Sequence, residues 1–585
     1  MLPTPGAPES PEAPAIPGTL LLEERAELAM NAVTGLADPD LGHIPFFSAD
    51  LLAEPASLIH GDYDYGSSHG RLTDACVLAR QMTGASWWRE TEERYKSTLL
   101  GLLGEDGLSY RRTHPRGHWE PHANLIDQRA TLLALTTWYA DEGEERVRRA
   151  ADRQVAALRR IAVKERDAWY YPASEYTPRG WPSYSAIHLR LAPDPASFCG
   201  RLIMPLLRWH QATGNEDALE LCGWFTRLIT ERSGVFLPDG SFNAALAYRS
   251  GHFHTRLGTL EGLAGYALFT GDHALTAFVK RAFDWALTQT TAFGWTPGDL
   301  ADQRYEHETC SLVDMIGIGA TLARAGHTRY WGVVERFLRN HLTASQLTET
   351  DWVRSAPDRS LDTPGWETHH RVGERVKGAF AGYGAPNDYV SDVILGRGHT
   401  SDVQACCVGS GVRGLFTGWN AVVTGDERLL RVNLLLNRGS RFLDVRSHLP
   451  HEGRVDLDLR ADCRELRLRV PDWAGHAHLA VTRRPASGEP VTAAGREPAL
   501  WAPDGCLRLA RPRAGERITV TFPLAEVTTE ETAAGRSFRT HWRGDDVVGI
   551  EPEGKTRPMY SARTLQDTAP ERRRALHVPE REWSW

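Results

Sequence analysis

A chain of 585 residues with 41% hydrophobic and 24% charged residues is too long for one ordinary core and has the make-up of a soluble protein of two or more domains. Its net charge of −8, without any long basic run, excludes a nucleic-acid surface or an anionic-membrane surface and favours a neutral or small polar ligand. No stretch reaches the ~18 uninterrupted apolar residues of a membrane span.

The opening MLPTPGAPESPEAPAIPG has neither a basic n-region nor an apolar h-region, so residues 1–18 read as a disordered Pro/Ala tail on a cytoplasmic protein. Eight scattered cysteines make no disulfide framework, and a reducing compartment keeps them available for metal.

From residue 19 to 432 the pattern is helical, punctuated by the breakers QMTG (81–84), QATGNED (211–217), LFTGDHA (268–274) and VVTGDER (422–428). Amphipathic runs flank each breaker, and weaker breakers at ADEGEER (140–146) and RAGHTRY (324–330) bring the total to about six helical hairpins. Six hairpins closed in a ring make an (α/α)6 toroid. After residue 432 the runs VDLDL (455–459), LRLRV (466–470), HLAVT (478–482) and RITVTF (517–522) alternate between Gly/Pro turns, which predicts a β-sandwich over 433–560. Residues 561–585 read as a charged tail. The whole is an α+β multidomain chain.

Two motifs carry chemistry: Glu308-Thr309-Cys310 in YEHETCSLVDM, and the vicinal Cys406-Cys407 in DVQACCVGSG. Three thiols and a carboxylate suffice for a four-coordinate Zn2+ site, an unusual donor set for a purely structural one. Residues i and i+2 of a helix point apart, so Glu308 and Cys310 need a loop or a helix start. Because SLVDMIGIGATLARA and VRGLFTGWNAVV follow the motifs as helices, both pairs are predicted at helix N-termini, where orphan N–H groups favour thiolates.

ETC followed by CC, with LRLRVPDWA (Leu466 to Ala474) and GCLRLARPRAGERITVTFPL (Gly505 to Leu524) behind them, resembles the β-L-arabinofuranosidase family, glycoside hydrolase family 127 and its relatives, over roughly residues 190 to 555. The resemblance implies the same toroid and a zinc-dependent retaining glycosidase acting on a small carbohydrate or glycoside. By it, Cys406 is the nucleophile, and Glu308, Cys310 and Cys407 are the other metal ligands. The family's acid/base glutamate lies in a G-E segment before ETC. Here only Gly298-Asp299 matches it, so Asp299 is the first candidate and Glu306 the second.

A family helix beginning G-H-L-I-E-A resembles CGRLIMPLLRWHQATGN, with Arg201 at the histidine position, and a later G-H helix places His252 at its histidine, with His254 nearby. An arginine there favours a carboxylate, a phosphate or a dense set of hydroxyls. Two other readings share the architecture. One is a polysaccharide lyase or sugar isomerase working through Tyr383, His252 and Arg201; the other is a non-catalytic carbohydrate-binding protein held together by zinc. A homodimer is a permitted state. The polar run HGDYDYGSSHGR (60–71), His122 and the WETHHR run read either as capping loops or as cleft walls.

Overall fold

The computed structural model describes residues 13–61, 63–111, 121–165, 167–182, 194–243, 252–300, 307–391, 401–485, 500–561 and 564–583. Among the described residues, twelve helices have eight residues or more. They are α1 (Leu22–Gly35), α2 (His69–Thr83), α3 (Arg89–Gly101), α4 (Leu125–Glu142), α5 (Glu145–Ile161), α6 (Ile203–Thr213), α7 (Glu216–Arg227), α8 (Phe253–Thr270), α9 (His273–Leu287), α10 (Thr309–Arg324), α11 (Tyr330–Phe337) and α12 (Ala405–Val422).

The twelve sort into two kinds by sequence. The helix α5 is amphipathic: Val147, Ala150, Ala151, Val155 and Leu158 are buried on one face, while its arginines face out. By contrast α4, α10 and α12 are buried nearly all round. Such helices are covered on every side, and the packing shows by what. The even-numbered helices form a closed cycle, each packed on the next, with α12 returning to α2. The odd-numbered helices lie outside: α1 covers α12 and α2, while α3, α5, α7, α9 and α11 cover α2, α4, α6, α8 and α10 in turn.

Short turns set α3, α5, α7, α9 and α11 antiparallel to the inner helices they follow. Three of the breakers work as read: α2, α6 and α8 end at threonines, followed by Gly84, Gly214 and Gly271 in the left-handed region. Asn215 and Asp272 then cap the next helix through Ala218 N–H and Leu275 N–H, both at 2.9 Å.

The fourth breaker departs from expectation. The helix α12 stops at Val422, and Val423–Gly425 pairs antiparallel with Leu430–Val432 as a β-hairpin. The β-branched Val422-Val423-Thr424 run suits a strand, and the approach of Gly425 to Leu429 O leaves no room for a side chain. The β-rich module therefore begins at Val423, before the expected boundary at 433.

It contains two five-stranded sheets. One is ordered Val423–Gly425, Leu430–Val432, Glu465–Leu468, Leu507–Ala510, Leu500–Trp501; the other Arg438–Gly439, Leu443–Ser447, Arg454–Leu459, Arg517–Thr521, Ala480–Arg484. Val455, Leu457, Ile518 and Val520 alternate inward as period two requires. A three-stranded meander, Glu526–Ala533, Arg536–Arg543 and Asp546–Glu551, follows. Buried Glu335 of α11 binds both Arg339 and Arg469, and Arg339 also reaches Asp546 at 3.1 Å, which fastens the helices to the strands.

The two expected tails are corrected in part. Ala15–Pro17 pairs antiparallel with Glu571–Arg573, and Arg572 holds Glu24 at 2.7 Å, so the described ends of the chain are joined across α1. No helix among the described residues is long and apolar enough to cross a membrane.

Inner helices touch closely. A Cβ at Gly70 of α2 would lie 2.6 Å from the backbone of Ala130 in α4, and one at Gly409 of α12 would lie 2.8 Å from the backbone of Arg71 in α2. Gly409→Ala is therefore expected to pry α12 from α2 and to cost about 1–3 kcal/mol. Urea unfolding of wild type and variant measures this, and unchanged stability would contradict the close packing.

Candidate active site

Every inner helix contributes side chains from its N-terminal end, and these meet at one mouth of the ring. A four-stranded sheet, ordered Glu367–Thr368, Ser57–Ile59, Ser48–Asp50, Val403–Gln404, delivers the chain into α12. Ala405 N–H donates to Phe47 O at 2.7 Å, which fixes where Cys406 and Cys407 begin. On the other side Glu308 is extended (φ −116°, ψ 119°) and immediately precedes α10, so it and Cys310 can face one point, as their i, i+2 spacing requires.

The segment 381–384 clips the two helix starts together. Its backbone bridges His307 through Gly384 and Val403 through Ala381, and Thr309 Oγ1 donates to Ala381 O at 2.7 Å. Tyr383, a candidate substrate contact, is buried on this clip.

The donor atoms of Glu308, Cys310, Cys406 and Cys407 all lie within 4.8 Å of one another, and all four residues are buried. Cys310 and Cys407 sulfurs are 3.6 Å apart, near the roughly 3.8 Å edge of a tetrahedron with zinc–sulfur bonds of about 2.3 Å. The donor set and its spacing fit zinc. Among these cysteines Cys406 alone keeps any exposure, 7% against 0% for the other two.

Hydrogen bonds from Cys310 and Cys407, helped by the Arg71 charge, hold the Cys406 thiol well below its ordinary range against the opposing effect of burial. Burial pushes Cys310 up and Cys407 further up.

Arg71 ties this cluster to a buried polar wall. Its Nη1 donates to Cys310 Sγ at 3.4 Å and its Nη2 to His254 Nε2 at 3.1 Å. Arg201 Nη2 donates to the same nitrogen at 2.6 Å, and His254 Nδ1–H donates to Asp314 Oδ2 at 2.6 Å. Burial, with Arg201 and Arg71 beside it, holds His254 well below its ordinary value, so the ring is neutral and accepts at Nε2. His254 is thus fully engaged and positions two arginines. His252 lies at the start of α8 and meets Glu308 Oε2 at 2.7 Å. The expected pair of histidines is present, but each is bound to the site's own groups.

Asp299 is held by backbone: it bridges His252, and Phe253 N–H donates to Gly298 O at 3.1 Å. It borders a cavity of about 190 Å³ together with Trp295, Thr532 and Ala534. Glu306 and Asp62 lie outside the described residues. Of the polar run at 60–71, His60 is clamped between Asp38 and Asp64 and His69 meets Tyr95 O, so both are structural, while Arg71 belongs to the site. His122 approaches Glu175 at 3.8 Å and His369 meets Ala56 O, both in structural settings.

Sequence reading passed over Arg129 and Asp314. Asp314 is a lone charge in an apolar helical run (CSLVDMIGIG) and Arg129 shares such a run only with Asp127 (LIDQRATLLAL), and that is the signal that could have found them. Burial, then Arg201 and Arg71, hold Arg129 well below its ordinary value.

No protein-family model matches the chain, and no curated protein matches it in sequence. Solved structures do match in fold. A glycoside hydrolase family 127 β-L-arabinofuranosidase from Geobacillus stearothermophilus T6 is 16% identical, with 89% of this chain and 80% of that one covered at a TM-score of 0.54. A second family 127 β-arabinofuranosidase is 14% identical over 90% of this chain and 80% of that one, at 0.56. A structure described as a glycoside hydrolase is 14% identical over 88% of this chain and 84% of that one, at 0.54. The chain shares their fold, as the ETC and CC motifs suggested.

Metal binding at this site would stabilise the folded chain alone. With zinc about a thousandfold above its Kd, the gain is about 4 kcal/mol. Re-zincing chelated protein should raise Tm by several degrees, and Cys310→Ser should abolish the rise; an equal rise in the variant would place the metal elsewhere.

Proposed function

We propose that the chain is a zinc-dependent retaining glycoside hydrolase with Cys406 as nucleophile. The observation that carries this reading is the buried Cys3Glu cluster at two helix N-termini, with Cys406 the one of the three cysteines that keeps any exposure. The closed cycle of six inner and six outer helices is read as an (α/α)6 toroid, and the two five-stranded sheets as a β-sandwich. All eight cysteines are unpaired, which suits a reducing, cytoplasmic location.

Glu308, Cys310, Cys406 and Cys407 would hold zinc, which when bound keeps the thiols deprotonated and tempers the nucleophile. His252 orients the Glu308 carboxylate, and Arg71 offsets the negative charge on the sulfurs. The Cys406 sulfur attacks the anomeric carbon as the bond to the aglycone oxygen breaks, and that oxygen takes a proton from an acid. Water, giving a proton to the conjugate base of that acid, then displaces the sulfur from the face the aglycone left, so the two inversions give net retention. Asp299 and Glu306 are the proposed proton carriers. Asp299 is a shorter arm than glutamate, but its backbone is fixed to His252 beside the cluster.

β-L-Arabinofuranoside, the sugar in the name of one similar structure, with a β-arabinofuranosidase as a second, is the first substrate to try, within a panel of p-nitrophenyl glycosides. Cys406→Ser is expected to lower kcat by at least about a thousandfold while fold and most of the zinc remain. Turnover retained by the serine variant would favour a lyase or isomerase working through Tyr383, His252 and Arg201. Sugar binding without turnover in wild type would favour the non-catalytic carbohydrate-binding protein.

A further inference from the structure

Three guanidiniums meet beside the cysteines. Arg71 on α2, Arg129 on α4 and Arg201 in the turn leading to α6 come from three successive walls of the ring and are only 6%, 6% and 3% exposed. In the first half of α4, Ile126, Arg129 and Leu133 keep the most exposure, 8%, 6% and 3%, at the i, i+3, i+7 spacing of one helix face.

The three are not equally satisfied. Arg71 and Arg201 share His254 Nε2, and Arg71 also holds Cys310. Among the described residues Arg129 makes no hydrogen bond or ion pair, and Nε of both Arg129 and Arg201 is buried without an acceptor.

Four nearby carboxylates are committed elsewhere. Asp314 takes the His254 Nδ1–H, Glu308 takes His252, Asp127 is forked by Arg111 at 2.7 and 3.0 Å, and Asp74 is forked by Arg413. Glu261 of α8, beside Gly317, and Asp314 offset the Arg129 charge, but neither makes a hydrogen bond or an ion pair with it.

A buried guanidinium is ordinarily paired, and a planar oxyanion matches its fork in a way that sugar hydroxyls do not. The N-termini of the inner helices add positive potential at the same mouth. We propose that the sugar seated against Cys406 carries an oxyanion, a carboxylate or a phosphate ester, received by Arg129 with Arg201 beside it. This rests on the glycosidase reading and names its substrate class.

The test uses zinc-loaded full-length protein and paired monosaccharides. Galacturonate and glucuronate are compared with galactose and glucose, and arabinose 5-phosphate with arabinose, by calorimetry and thermal shift. The corresponding p-nitrophenyl glycosides are compared by turnover. An anionic member should bind, or turn over in kcat/KM, on the order of 100-fold better than its neutral parent. Uronates alone would mark the carboxylate form, and the sugar phosphate alone the phosphate form.

Arg129→Met should collapse the ratio to about threefold or less, and Arg129→Lys should keep part of it by retaining charge without the fork. Should either variant fail to fold, wild-type binding decides. Equal affinity for charged and neutral partners, or binding of no anionic sugar, overturns the proposal. Neutral-sugar preference in an enzyme silenced by Cys406→Ser would sink the oxyanion and spare the thiolate chemistry. Oxyanion binding with a fully active serine variant would do the reverse.

Discussion

The arrangement on which everything else depends is the alignment of the six inner helices. A helix exposes unsatisfied N–H groups and a partial positive charge at its start, and the starts of the inner helices gather at the same mouth. That mouth is a place where thiolates, carboxylates and anionic ligands are stabilised. The sequence puts Glu308 with Cys310 and Cys406 with Cys407 there, and around the ring beside them Arg71, Arg129, Arg201 and His252 with His254.

Close packing converts this alignment into fixed geometry. Gly409 lets α12 lie against the backbone of Arg71, so the helix bearing Cys406 and the arginine bound to Cys310 move as one body. The clip at 381–384 binds the starts of α10 and α12 to each other. His254 then sets two guanidiniums on one neutral ring nitrogen, with Asp314 fixing its tautomer. This is the usual way a protein orients a histidine through its second nitrogen.

Much of this was legible in the residues. The i, i+2 spacing of Glu308 and Cys310 demanded a helix start, and TG breakers at 83–84, 213–214 and 270–271 ended helices as threonine followed by a left-handed glycine. The VVTGDER segment misled because the same dipeptide follows β-branched residues, and strand pairing with Leu430–Val432 took over. The chain ends looked free because pairing of Ala15–Pro17 with Glu571–Arg573 joins segments far apart in sequence, which no local pattern encodes. Arg129 was passed over because its role depends on which face of α4 looks into the lumen, a fact set by five other helices.

The central claim is that helix N-termini assemble a thiolate-rich metal centre, and zinc K-edge X-ray absorption on the purified chain tests it most directly. The account predicts about one zinc per chain with three sulfurs at about 2.3 Å and one lighter donor at about 2.0–2.2 Å. A shell of nitrogen and oxygen alone, or no zinc in a chain with three reactive free thiols at Cys310, Cys406 and Cys407, would contradict it.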